Sequence, residues 1–275
     1  LAFVLEYDVD VLVSMDGPRE LHDRQRPFPD GLGSYDAILP HIRRLLAEKP
    51  ETRVHAVVVD ANQTERIKRS LREVGFREVT LLPVSAPLSG EDRAARNLGG
   101  LFAELEREAQ RWWELTAARD TEALGTLRSQ SHLAVALLRL LHNKKDRHAC
   151  GAAVNYAAVS CDGSLYLCHR FTGMEDYRLG TVFDGIAHRK GYDESPLARS
   201  TTCAACFARY YCAGWCKHDN LGATGSLWEA SPEICALKQR ELELAAGIVS
   251  RMGEEDKTFL MQSGIFPPKP CPLDF

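Results

Sequence analysis

CAACFARYYCAGWC, residues 203–216, sets four cysteines in one short run, Cys203-x2-Cys206-x5-Cys212-x3-Cys216. Downstream, Cys235 follows after eighteen residues, and upstream lies Cys150-x12-Gly163-x4-Cys168. Seven of the nine cysteines belong to this one pattern. A C-x2-C pair lets two sulfurs of a tight turn reach the same metal, so the pattern reads as a thiolate cage rather than a disulfide framework. Seven thiolates exceed one four-coordinate site and suit two adjacent ones, for which cubane iron–sulfur clusters are the usual alternative to zinc. Zinc is the rival reading: Cys203, Cys206, Cys212 and Cys216 alone could hold one ion, but Cys150, Cys168 and Cys235 would then be left over.

The composition is that of an ordinary globular chain, with 275 residues, 45% hydrophobic and 26% charged. That is enough for one or two domains with a sizeable core. A net charge of −4 gives no general attraction to nucleic acid or to an anionic membrane. No apolar run approaches the ~20 residues that cross a bilayer. With no signal peptide in view, reduced thiols in a cytoplasm are the expectation. The reading is a soluble, intracellular, metal-binding protein.

The first ninety residues read as strand, helix, strand, helix, strand. Val9 to Met15 (VDVLVSM) is an apolar run ending in the turn Asp16-Gly17-Pro18. A loop rich in Gly and Pro leads to Ser34, an expected N-cap, before Ile38, Ile42, Leu45 and Leu46 at helical spacing, and Pro50 ends that helix. Arg53 to Asp60 (RVHAVVVD) is a second strand. Asn62 to Val74 is a second helix, capped by Thr64 or Asn62 and closed by Gly75. Val79 to Val84 is a third strand. Helical crossovers imply a parallel sheet. Three such strands cannot close a barrel, and the chain begins with Leu1 rather than Met, so further strands are expected on the N-terminal side of a longer protein. In α/β folds ligands gather at the carboxyl ends of strands, which places Ser14, Asp16 and the loop to Arg26 at a crevice rim. On spacing alone, Asp16-Gly17 serves equally well as a plain turn.

The middle of the chain reads as two core-facing helices, Leu98 to Ala118, with Trp112 and Trp113 packing inward, and Leu124 to Asn143. His132, His142 and His148 lie close to the cysteines and are read as ordinary surface or hydrogen-bonded histidines. Tyr156 to Cys161 and Ser164 to Cys168 flank Asp162-Gly163, a hairpin signature with a two-residue turn. That register pairs Cys161 with Ser164 and Cys168 with Ala157, separating Cys161 from Cys168 by ~13 Å along the ribbon at ~3.3 Å per residue. Cys161 therefore reads as an inert packed thiol outside the cage. Cys203 to Cys216 has few apolar residues and reads as a loop wrapped on metal. Ser231-Pro232-Glu233 starts a helix running to about Met252, with Cys235 in its first turn, where free N–H groups favour a thiolate. Cys271, in a Pro-rich tail, reads as a surface thiol.

The seven-cysteine spacing, with Gly163 and its hairpin, resembles the SPASM domain, the auxiliary-cluster module of radical S-adenosylmethionine enzymes. VSMDGPRELHDRQRPFPDGLGSYDAI, from Val13 to Ile38, is similar to the fourth strand and following loop of the same enzymes. The resemblance implies an α/β fold: the C-terminal half of a partial (β/α)6 barrel over residues 1–95, then a helical connector over 96–145. A small α+β SPASM domain would occupy 146–252 and a tail 253–275. It implies two auxiliary [4Fe–4S] clusters, the first on Cys150, Cys168 and Cys216, the second on Cys203, Cys206, Cys212 and Cys235. The eighth cysteine that some members place upstream is missing from HNKKDRHA, residues 142–149, which suggests an open iron site. Ser14 and Arg26 match positions that contact S-adenosylmethionine, a hydroxyl suiting the ribose and a guanidinium the carboxylate. Val84 matches a position against the adenine.

Two departures shape the expected function. The radical-generating C-x3-C-x2-C motif is absent from these 275 residues, as is the glycine-rich strand that grips the methionyl amine, so a third cluster is expected upstream. Sulfatase-maturating members carry an aspartate directly after the cysteine matching Cys168, where this chain has His169. That departure and RLGTVFDG, residues 178–185, look more like maturases that form thioether crosslinks or act on quinohemoprotein amine dehydrogenase subunits. The expected function is a maturase that modifies a peptide or small protein, with a cysteine-containing substrate and a flavodoxin or ferredoxin as electron donor. This chain alone is expected to be inactive. A sulfatase-type maturase, a peptide-binding module and a zinc protein are the alternatives.

Overall fold

In a computed structural model of the chain, residues 1–83, 98–129, 131–187, 189 and 191–267 are described. Val84 and Cys271 lie outside those residues. The chain divides into two compact units, one comprising Leu1–Leu101 with Asp120–Ser131, the other Phe102–Arg119 with His132–Phe275.

The first unit is built on a three-stranded parallel sheet, β1 (Leu12–Ser14), β2 (Arg53–Val58) and β3 (Val79–Pro83), in that spatial order. Leu12 pairs with Arg53 and Val54 with Val79. A short α1 (Ala2–Glu6) precedes β1, and the crossovers are α2 (Arg19–Gln25) with α3 (Tyr35–Glu48), then α4 (Thr64–Val74). Strands alternate their side chains between faces, so β2 turns Val54 and Ala56 to one side and His55 and Val57 to the other. Val54 and Ala56 are fully buried against Met15, Phe76 and the apolar stripes of α3 (Ile42, Leu46) and α4 (Ile67, Leu71). His55 and Val57 are only half-buried on the opposite face. Gly75 ends α4 at φ +121, a conformation that disfavours other residues.

The three expected strands and two expected helices are present, with the first strand shortened from Val9–Met15 to Leu12–Ser14 and the second from Arg53–Asp60 to Arg53–Val58. Helix α2 is an added one, and Gln63, not Thr64 or Asn62, precedes α4 without a side-chain cap. Ser34 precedes α3, yet its hydroxyl does not cap it. The Tyr35 N–H is instead accepted by Asp23 Oδ1 at 2.8 Å, and Ser34 Oγ turns back to the loop.

The helix expected over 124–143 is two helices, α6 (Thr121–Arg128) and α7 (Ala134–Leu141), while α5 spans Leu98–Ala117. The break has a tertiary cause. Glu108, on α5, accepts the backbone N–H of His132 at 3.2 Å and of Leu133 at 2.9 Å. Those amides lie at the start of α7, where no intrahelical carbonyl is available to them.

The rest of the second unit has little regular sheet. Four short antiparallel strands, β4 (Ala158–Val159), β5 (Ser164–Tyr166), β6 (Arg178–Thr181) and β7 (Gly185–Ile186), form a meander. Helices α8 (Pro196–Arg199), α9 (Thr201–Ala205), α10 (Arg209–Cys212) and α11 (Lys217–Thr224) follow, then the long α12 (Pro232–Arg251) and α13 (Glu254–Gln262). Helix α12 packs on α7, and Trp112 stacks on Phe266 at 5.3 Å between ring centres, so the expected tail contributes core. Beneath the meander, Ala152, Ala153, Tyr166, Leu167, Cys168, Phe171, Leu179 and Leu227 form a second cluster.

The hairpin differs from its expected register by one residue: Ala158 pairs with Tyr166 and Val159 with Leu165. Ser160 N–H reaches Ser164 O at 2.9 Å, which leaves a three-residue loop of Cys161, Asp162 and Gly163. Gly163, at φ +83, supplies the left-handed residue that such a loop requires. Cys161 is consequently at the exposed loop tip, not packed.

Candidate metal centres and cofactor site

Cys203 to Cys216 is a chain of helical turns rather than a wrapped loop. Ser195 caps α8 and Ser200 caps α9, accepting from Leu197 N at 3.2 Å and Cys203 N at 3.1 Å. Between α10 and α11 the backbone turns left-handed at Ala213, Gly214 and Trp215. Cys216 is the residue before α11, and Cys235 lies in the first turn of α12, whose cap Ser231 accepts from Ile234 N.

The cysteines separate into two electrostatically coupled groups. In the first, Cys168 feels the Cys150 thiol, while Tyr156 and Lys217 each face Cys150, Cys168 and Cys216. In the second, Cys212 is coupled to Cys203 and Cys235, and Cys235 to Cys203 and Cys206. Cys161 belongs to neither.

Donors converge on the sulfurs. Backbone N–H groups of Arg170 and Phe171 are directed at Cys168, those of His218 and Asp219 at Cys216, and that of Gly214 at Cys212. Arg170 Nη1 reaches Cys216 Sγ at 3.4 Å and Asp219 Oδ1 at 2.7 Å. Gln239 Nε2 donates to Cys206 Sγ at 3.5 Å from one turn beyond Cys235. Burial is the leading influence on four of the thiols: it disfavours the thiolate, raising the pKa of Cys168, Cys216 and Cys235 and pushing that of Cys212 up to about 11. Burial also raises the Tyr156 phenol, with the neighbouring thiols acting in the same direction. Such sulfurs are poor bare thiolates, and bonding to a cation offsets that cost.

The donor set fits iron–sulfur clusters: thiolates in two groups, with amide and side-chain donors aimed at sulfur. Among the described residues, no three His, Cys, Asp or Glu side chains close to the spacing a single ion needs. A cubane, with a separate iron at each thiolate, spreads its ligands more widely. The second group has four thiols and the first has three. Of the histidines beside the first group in sequence, His142 Nε2 is occupied by Phe266 O at 3.1 Å, whereas His148 Nδ1 and His218 Nδ1 are buried without a hydrogen-bond partner among the described residues.

In the other unit, Ser14 is exposed at the carboxyl end of β1, two residues before Asp16. Asp16 is fully buried, and Arg26 grips it through Nε at 2.7 Å and Nη2 at 3.2 Å. Asp16 Oδ1 also accepts Val57 N–H at 2.8 Å, which ties the loop to the end of β2. Asp16 thus has an orienting role, and Gly17 at φ +94 makes the turn in which a Cβ would press on Ile67. The Arg26 side chain remains 36% exposed, and Nη1 has no hydrogen-bond partner among the described residues. That edge is free to meet a carboxylate.

His22 stands behind this pair. Its Nδ1 accepts Asp16 N–H at 3.2 Å, and its Nε2 lies 3.0 Å from Ser34 Oγ, which itself donates to Arg26 O. The ring is therefore the neutral Nε2–H tautomer, and burial lowers its basicity.

Solved structures share this architecture. The chain has the fold of anSMEcpe. It matches native anSMEcpe with bound AdoMet and Kp18Cys peptide at a TM-score of 0.62 and 19% identity, covering 90% of this chain and 70% of that one. The complex with AdoMet and Cp18Cys peptide matches at 0.63 and 20%, again covering 90% and 70%. Polyhistidine-tagged anSMEcpe with bound AdoMet matches at 0.63 and 19%, covering 94% of this chain and 70% of that one. No protein-family model and no curated protein matches the chain. The architecture is thus part of an α/β barrel followed by a small cysteine-rich α+β domain.

Tyr156, Arg170, Lys217 and Gln239 were not among the residues anticipated from sequence. Gln239 alone carried a signal, being four residues after Cys235 on one helix face.

Proposed function

We propose that this chain is the substrate-side and auxiliary-cluster portion of a radical S-adenosylmethionine maturase acting on a cysteine-containing peptide. The observation that carries the reading is the separation of the cysteines into a three-thiol and a four-thiol group. Cys150, Cys168 and Cys216 would hold the first [4Fe–4S] cluster, and Cys203, Cys206, Cys212 and Cys235 the second. Bound S-adenosylmethionine with its reducing cluster supplies the carbon radical that removes a substrate hydrogen.

The chain's own residues do the positioning. Asp16 fixes the Arg26 guanidinium, whose free edge would take the methionyl carboxylate, and Ser14 would meet the ribose. The amides at Cys168 and Cys216 stabilise negative sulfur. Two substrate chemistries stay in play. His169, exposed where sulfatase-maturating enzymes have an aspartate, favours thioether formation; the shared fold with anSMEcpe and its peptide complexes favours the sulfatase-type reaction.

The test is spectroscopic. With clusters assembled, a cysteine-containing peptide is expected to perturb the first cluster's absorption and EPR, and its Cys→Ser counterpart to do so less. Spectra indifferent to thiols, together with cluster loss in His148→Ala, would assign the fourth ligand to His148 and remove the substrate thiol from the scheme. With no C-x3-C-x2-C motif, the 275-residue chain is expected to form no 5′-deoxyadenosine.

A further inference from the structure

Lys217 is a buried cation that forms no salt bridge among the described residues. Its side chain is 4% exposed, and among the described residues no Asp or Glu oxygen lies within ion-pairing distance. Its ammonium is 5.2 Å from the centre of the Trp228 ring, which packs with Cys150 and Cys168 in one cluster, and Lys217 directly follows Cys216. Burial lowers its basicity, while Cys150, Cys216, Asp193 and Cys168 act to hold the proton. Two other cations that act on cysteine sulfurs are already compensated. Arg170 is paired with Asp219, and Lys238, which acts on Cys212, is paired with Glu241 at 2.7 Å. Removing an ammonium from water without an anion is strongly unfavourable, so a buried lysine in this setting calls for a negative centre.

We infer that Lys217 is the charge partner of the centre held by Cys150, Cys168 and Cys216, stabilising its reduced form. The inference rests on the cluster reading above. Reduction adds one electron to the cluster and breaks no protein bond. The extra negative charge appears beside a fixed ammonium in a low-dielectric pocket, so the reduced state gains more than the oxidised state. The second group, whose neighbouring lysine is already neutralised by Glu241, lacks this bias. Lys217 acts through the cluster and is a positioning residue, not a catalytic one.

The test uses the full chain, reconstituted anaerobically and titrated with dithionite under EPR. The reduction step that disappears in Cys168→Ala belongs to the first cluster. In Lys217→Met that step is expected to move to more negative potential while the other step stays in place, and Lys217→Arg is expected to restore it. Loss of the first cluster's iron in Lys217→Met but not in Lys217→Arg supports the same conclusion, because only the charge is then essential. An unchanged midpoint in an iron-replete Lys217→Met chain overturns the inference, as does loss of the cluster in both variants. A wild-type chain that binds no iron and sulfide overturns the cluster reading itself, and this inference with it.

Discussion

The parallel-sheet unit and the cysteine region solve the problem of stability by different means. Around β2, Val54, Ala56, Ile67, Leu71 and Phe76 are buried to 2% exposure or less, and regular crossovers satisfy the backbone. Around the cysteines the strands are two to four residues long, and three of the four helices from Pro196 to Thr224 have five residues or fewer. Strands and helices this short are marginal without further support. The first region is held by apolar periodicity. The second depends on side-chain caps and, on the proposed reading, on clusters held by its sulfurs.

The largest effect expected from this contrast is on metal content. Cys203→Ala and Cys235→Ala should each lose about one cluster's iron and sulfide, whereas Cys161→Ala, at an exposed loop tip, should lose none. Equal iron loss in Cys161→Ala and Cys168→Ala would show that the two groups are drawn wrongly. Next is Leu71→Ala. It should destabilise the sheet unit by about 2–5 kcal/mol in urea unfolding while leaving the iron content of the folded chain unchanged. Loss of iron in that variant would mean that the two regions are not independent in the way described.

The smallest effect concerns pH. Burial keeps the folded His22 basicity below the ordinary imidazole value, so the unfolded chain takes up the proton first. Stability contributed by neutral His22 is fully present above the unfolded value of about 6.5, and it is lost as pH falls through the lower folded value. His22→Gln should flatten the pH dependence of unfolding in that acidic window. An unchanged slope would place the titration elsewhere.

The same contrast explains what was legible from the sequence. The valine-rich runs and helical spacing of the first ninety residues are local signals, and the sheet follows them. The break between α6 and α7 depends on Glu108, more than twenty residues away, which no local periodicity reports. The hairpin register turned on Gly163 taking a left-handed conformation as the third loop residue instead of the second of two. Cysteine spacing pointed to two adjacent sites, and the resemblance supplied the proposed grouping, whereas Lys217 could not be seen beforehand. A lysine becomes informative only when its burial and its lack of an ion pair are known.

The central claim is that seven cysteines hold two four-iron clusters. Anaerobic reconstitution of the chain, followed by iron, acid-labile sulfide and zinc analysis, tests it most directly. The account predicts about eight iron and about eight sulfide per chain, as two [4Fe–4S] clusters require. Stoichiometric zinc with no sulfide would contradict it.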